Sequence, residues 1–90
     1  SALENLVRSL AKQLGPDGIT VNNLSPGVFA TDRNTGVLAD PVYAEKVRAQ
    51  IPLRFFGDPA DIAGAAVLLC SDAGRYITGS TIKVNGGMHL

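Results

Sequence analysis

The chain has 90 residues, 46% hydrophobic and 18% charged, with 8 basic and 8 acidic side chains in balance. That composition excludes a disordered tail, and the lack of any Lys/Arg cluster removes the electrostatic footprint of a nucleic-acid binder. No apolar run is as long as a membrane span, no basic-then-apolar signal is present, and the single Cys70 rules out an internal disulfide. With one His and one Cys there is almost nothing to build a metal site from, so no metal is expected. These features predict a globular, cytoplasmic chain with neither a nucleic-acid nor a membrane partner.

The first predicted element is a helix over residues 2–14, where Leu3, Leu6, Val7, Leu10, Ala11 and Leu14 form one apolar stripe. Ser1 and Glu4 have the spacing of a capping box, and Gly15-Pro16 supplies the stop, with Gly15 as the expected cap. Asp17-Gly18 then turns the chain into a strand predicted over Ile19–Leu24. Pro26 has no N–H and is expected to end ladder pairing, while Gly27 permits a sharp turn or a close approach to a ligand. An irregular stretch runs from Ser25 to Asp40. Asp40-Pro41 opens a short helix over Pro41–Gln50, and Asp58-Pro59-Ala60-Asp61 opens a stronger one over Pro59–Cys70. Cys70 reads as a small buried apolar residue at that helix end rather than a reactive thiol. A second strand is predicted over Thr81–Val84, between Thr78-Gly79 and Asn85-Gly86-Gly87.

Strand, crossover helices and strand make a parallel βαβ unit, and in open α/β sheets ligands bind beyond the carboxyl ends of such strands. Two strands are a marginal sheet alone, and the apolar stripe of the first helix needs a partner surface to bury it. The chain therefore reads as the end of a larger domain.

Three stretches carry a family likeness: ALENLVRSLAKQLGPDGITVNNLSPGVFATD, GDPADIAGAAVLLCSD and YITGSTIKVNGG. In this order and spacing they resemble the C-terminal part of the short-chain dehydrogenases/reductases across essentially the whole chain. The resemblance implies an α/β fold, the C-terminal portion of a Rossmann-type doubly wound parallel sheet, with residues 1–90 a fragment of one oxidoreductase domain. Residues 32–52 would be a substrate lid, which Val37 and Leu38 would line. The implied cofactor is NAD or NADP, bound by the full-length enzyme and not by this chain alone. Pro26 and Gly27 would shape the wall at its nicotinamide end, Phe29 would offer backbone N–H and C=O to the carboxamide, and Thr31 would give its hydroxyl to the carboxamide or the pyrophosphate. The family more often has Ile or Val at the position of Phe29, and Asp at the position of Asn85. It also implies that the first helix starts upstream, which would make the Ser1–Glu4 box a coincidence in the intact enzyme. Family members form dimers and tetramers, so a homo-oligomer is implied.

The family's Tyr-x-x-x-Lys pair and its Gly-rich phosphate loop have no match here. Tyr43 and Lys46 are three apart, and Tyr76 is followed four residues later by Ser80. No catalytic residue is therefore assigned. Asp58 and Asp61 read as helix-start chemistry, Arg33 and Arg54 as solvated surface, and His89 as tail. Two functions fit. One is part of an NAD(P)-dependent oxidoreductase transferring hydride between nicotinamide and an alcohol/carbonyl substrate, with the fragment itself inactive. The other is a non-catalytic structural or oligomerisation module of the same family.

Overall fold

A computed structural model describes residues 1–30, 36 and 38–90 of the chain. Helix α1 (Ala2–Leu14) matches its predicted span, and Ser1 Oγ accepts the Glu4 N–H at 3.2 Å as an N-cap. Its end differs in detail from expectation. Gly15 stays right-handed and leads through a single 3₁₀ turn, Gly15–Asp17, to Gly18, which makes the left-handed exit.

Strand β1 spans Asn23–Pro26, so the expectation of Ile19–Leu24 is corrected by a shift toward the C-terminus. Opposite its first residues lies the turn at Thr78–Gly79, which has no extended backbone to offer. Val21 N–H is instead taken by Thr78 Oγ1 at 3.0 Å, and Val21 C=O accepts from Gly79 N–H. The Asn22 side chain joins the same turn, donating to Ile77 C=O at 2.9 Å and accepting from Ser80 N–H at 3.1 Å. Regular pairing begins one residue later.

β1 pairs in parallel with β2 (Thr81–Val84), in the register Asn23↔Thr81 to Pro26↔Val84. Pro26 is thus the last paired residue, which ends the ladder as expected, although its missing N–H breaks no bond of this pair. The reason is the alternation of the backbone. Asn23 N–H donates to Ser80 C=O and Gly27 N–H to Val84 C=O, so odd-numbered residues of β1 face β2. The donorless nitrogen of Pro26 is turned to the other edge, where it interrupts nothing in this pair.

Between the strands lie α2 (Pro41–Ala49) and α3 (Pro59–Cys70). Asp40 Oδ1 caps α2 through Val42 N–H at 3.0 Å, and Gln50, expected in the helix, is its C-cap. α3 starts with a full capping box: Asp58 takes first-turn N–H groups while Asp61 Oδ2 accepts Asp58 N–H at 2.8 Å. The span of α3 and that of β2 both match expectation.

The buried apolar residues among those described are Val7 and Ala11 of α1, and Phe29, Ala44 and Ile51. Two of the five, Phe29 and Ile51, lie around the carboxyl ends of the strands. By contrast Leu3 and Leu6 of the α1 stripe are exposed, and α3 buries no residue, with Val67 67% exposed. Cys70, expected to be buried, is exposed for the same reason: no described part of the chain covers that face of α3. No described helix is long and apolar enough to cross a membrane.

Candidate functional site

Beyond the carboxyl ends of β1 and β2 three backbone segments meet: Gly27–Ala30 leaving β1, Ile51–Gly57 between α2 and α3, and Asn85–Leu90 leaving β2. Glycines allow the meeting. A Cβ on Gly27 would lie 2.7 Å from both Cα and Cβ of Asn85. A Cβ on Gly57 would lie 2.6 Å from Cε1 of Phe29. Real Cβ atoms do not come so close, so each contact holds only with hydrogen in that place.

Phe29 and Gly57 are also joined through the backbone as an isolated parallel bridge. Gly57 N–H donates to Val28 C=O at 2.9 Å, and Ala30 N–H donates to Gly57 C=O at 2.8 Å. Alternation directs Phe29's own N–H and C=O to the opposite side of the segment from Gly57. Phe29 is 8% exposed, and its ring closes against the glycine. The chain therefore emerges from Pro26-Gly27 as a tethered wall rather than a free loop.

The second segment is held from both directions. Ile51 is 1% exposed and takes a bond from its own amide to Arg48 C=O. Leu53 N–H donates to Gly86 C=O at 3.1 Å. Arg54, in the left-handed region at φ 64°, sends its guanidinium back to Ala49 C=O at the end of α2. Arg48 pairs with Glu45 at 2.6 Å and lies over the Phe56 ring, 5.0 Å from its centroid. Arg54, read from sequence as solvated surface, is thus exposed but engaged as a helix-end partner.

A mostly apolar cavity of about 530 Å³ opens among these segments, with Phe29, Leu53, Phe55, Val84, Gly86 and Leu90 in its walls. Its charged lining residues are Asp61, whose carboxylate is occupied in the α3 capping box, and Lys83. Of the predicted site residues Phe29 lines this cavity, while Pro26 and Gly27 lie just before it on the same segment, outside the lining. Thr31, and Val37 of the expected lid lining, lie outside the described residues. Tyr43 and Lys46 stand on exposed turns of α2, and Tyr76 is 99% exposed, so neither tyrosine belongs to this site. No three His, Cys, Asp or Glu residues among those described converge as metal ligands.

Sequence reasoning missed Gly57 and Ile51. Gly57 directly precedes the Asp58-Pro59 helix start, where a glycine reads as ordinary turn chemistry. Only the tertiary contact shows that it is the seat of Phe29.

A parallel strand pair with a helical crossover, and a wall built at its carboxyl ends, defines an α/β protein of the Rossmann type. The chain belongs to the short-chain dehydrogenase/reductase family: the family model described as "Enoyl-(Acyl carrier protein) reductase" matches residues 1–89. It is 43% identical over 88 residues to a 3-oxoacyl-[acyl-carrier-protein] reductase of Aquifex aeolicus, covering 98% of this chain and 35% of that protein. Over all 90 residues it is 42% identical to an L-rhamnose 1-dehydrogenase (NAD(P)(+)) of Azotobacter vinelandii, again covering 35% of the relative. The fold is similar to that of the Pseudomonas aeruginosa RhlG/NADP active-site complex, with a TM-score of 0.88 and 39% identity, over 99% of this chain and 36% of that one. The chain spans about a third of the length of these relatives.

Proposed function

We propose that the chain is the C-terminal part of an NAD(P)-dependent oxidoreductase that moves hydride between nicotinamide and an alcohol/carbonyl substrate. The observation that carries this reading is the tethered wall Pro26–Phe29 at the carboxyl ends of the parallel strands, where doubly wound sheets take nucleotides. When bound, the nicotinamide supplies the hydride or accepts it. The residues here fit its flat end: Gly27 has no side chain and no room for one, and Phe29 keeps its ring against Gly57 with its peptide groups turned the other way. Phe29 would hold the carboxamide through its backbone, and Thr31 would add its hydroxyl. The segment over residues 32–52, including α2, would form the substrate lid.

In this reading the chain is half of a site, and it does not bind the dinucleotide alone. The exposed stripe of α1 and the uncovered α3 support a larger domain, completed by preceding residues and assembled as a homo-oligomer. The relatives above include an acyl reductase and a sugar dehydrogenase, so either substrate type is compatible. Titration of NADPH fluorescence tests the proposal. The full-length protein should give a saturable change and the 90-residue chain none. Saturable binding by the short chain overturns the half-site reading, and no binding by the full-length protein overturns the oxidoreductase reading.

A further inference from the structure

Asn85 lies between the two walls of the site: its Cα and Cβ abut Gly27, and its carboxamide bonds within the turn that follows β2. Its Oδ1 accepts Gly87 N–H at 3.0 Å, and its Nδ2 donates to Met88 C=O at 2.9 Å. One donor and one acceptor are needed, so only one orientation of the amide satisfies both bonds. Asn85 C=O also accepts Met88 N–H at 3.2 Å, closing a tight turn through Gly86 and Gly87, both left-handed at φ 64° and 90°.

This turn is packed against the segment that follows α2. A Cβ on Gly86 would lie 2.7 Å from Ile51 Cγ2, and one on Gly87 would lie 3.0 Å from Pro52 Cγ. Gly86 C=O receives Leu53 N–H, so the turn is hydrogen-bonded to that segment as well. On its other side, Asn85 Cα and Cβ fill the space beside Gly27. Leu90, which lines the cavity, leaves from the same turn through its N–H to Gly87 C=O at 3.3 Å.

From this geometry we infer that Asn85 is a positioning residue for the carbonyl substrate: its carboxamide fixes the Gly86-Gly87 turn, which in turn seats Ile51–Leu53 and hence the end of α2. The inference rests on the oxidoreductase reading. Aspartate in this place would keep an acceptor for Gly87 but set an oxygen against the Met88 carbonyl. Asparagine therefore ties down the C-terminal residues as aspartate cannot. The cofactor wall is reached through Cα and Cβ only, and Asn85→Ala leaves those atoms in place.

Hydrogen exchange on Asn85→Ala and Asn85→Asp full-length protein, with steady-state kinetics, tests this. In Asn85→Ala the Leu53 amide should exchange about tenfold faster, as expected for the loss of roughly one net hydrogen bond, while α1 amides keep their rates. In Asn85→Asp the increase should be concentrated in Met88–Leu90. KM for the carbonyl substrate should rise about tenfold in Asn85→Ala, with kcat and the NADPH dissociation constant within about twofold, and Asn85→Asp should recover part of the loss. An unchanged Leu53 amide overturns the inference, and so does an equal fall in kcat and NADPH affinity. Absence of NADPH binding in the unmutated protein removes the oxidoreductase reading instead, and the exchange data still decide whether Asn85 seats Ile51–Leu53.

Discussion

The ring of Phe29 occupies the place a side chain would take at Gly57: a Cβ there would lie 2.6 Å from Cε1 and 2.8 Å from Cδ1. The two residues are also bridged through the backbone, so the two segments cannot separate without breaking the Gly57 bonds to Val28 and Ala30. Gly57→Ala should therefore destabilise the protein by about 1–3 kcal/mol through overpacking, read as a lower urea midpoint. The double variant with Phe29→Leu should recover part of this, because the smaller side chain vacates the ring edge. Loss of the same size in the double variant would show that the contact is not the cause.

Asn22 bonds through both ends of its amide to the segment entering β2. Asn22→Ala should cost about 1–2 kcal/mol, since Ile77 C=O and Ser80 N–H each lose a partner in a half-buried place. Asn22→Asp should keep the Ser80 bond and lose the one to Ile77. Faster exchange of the Ser80 amide in the alanine variant, and not in the aspartate variant, checks the assignment.

The start of α3 depends on Asp58 and Asp61 as reciprocal caps. Asp58→Ala should cost about 1 kcal/mol, with Asp58→Asn nearly neutral because asparagine caps as well. Denaturation followed by far-UV circular dichroism distinguishes the two. Equal losses would mean that charge, not hydrogen bonding, matters at this terminus.

In the proposed enzyme Gly27→Ala has no room for its methyl group beside Asn85. The wall must shift, and NADPH affinity in the full-length protein should fall by about tenfold or more, because displacement of a positioning surface by a fraction of an ångström is costly. Unchanged affinity would remove Gly27 from the cofactor wall.

Most of the helical architecture was legible in the sequence because it is written locally. The stripe of α1 and the Asp-Pro starts of α2 and α3 each announce themselves within one or two turns, and β2 lies between clear turn residues. β1 was misplaced because composition shows which residues favour extension, not what stands opposite them. Val21 and Asn22 are extended but bond to the turn at Ile77–Ser80 through side chains, outside regular pairing. Cys70 is exposed because the apolar helix that carries it has no cover on that face among the described residues. Gly57 and Ile51 were invisible for a related reason: their roles exist only where distant segments meet. Pro26, Gly27 and Phe29 lie within four residues of sequence, and the structure adds the bonds to Gly57 on either side of Phe29.

The direction of the Pro26 nitrogen has a consequence for any strand that adjoins β1 on its free side. Such a neighbour would find amide hydrogens at Asn22 and Leu24 but none at Pro26, since alternation sends these three residues to that edge. The donor that would carry the sheet one step further is missing covalently, whatever the neighbour's sequence. A strand on that side would bond fully with β1 only as far as Leu24, and beyond it would meet an imino acid that accepts through its C=O but donates nothing.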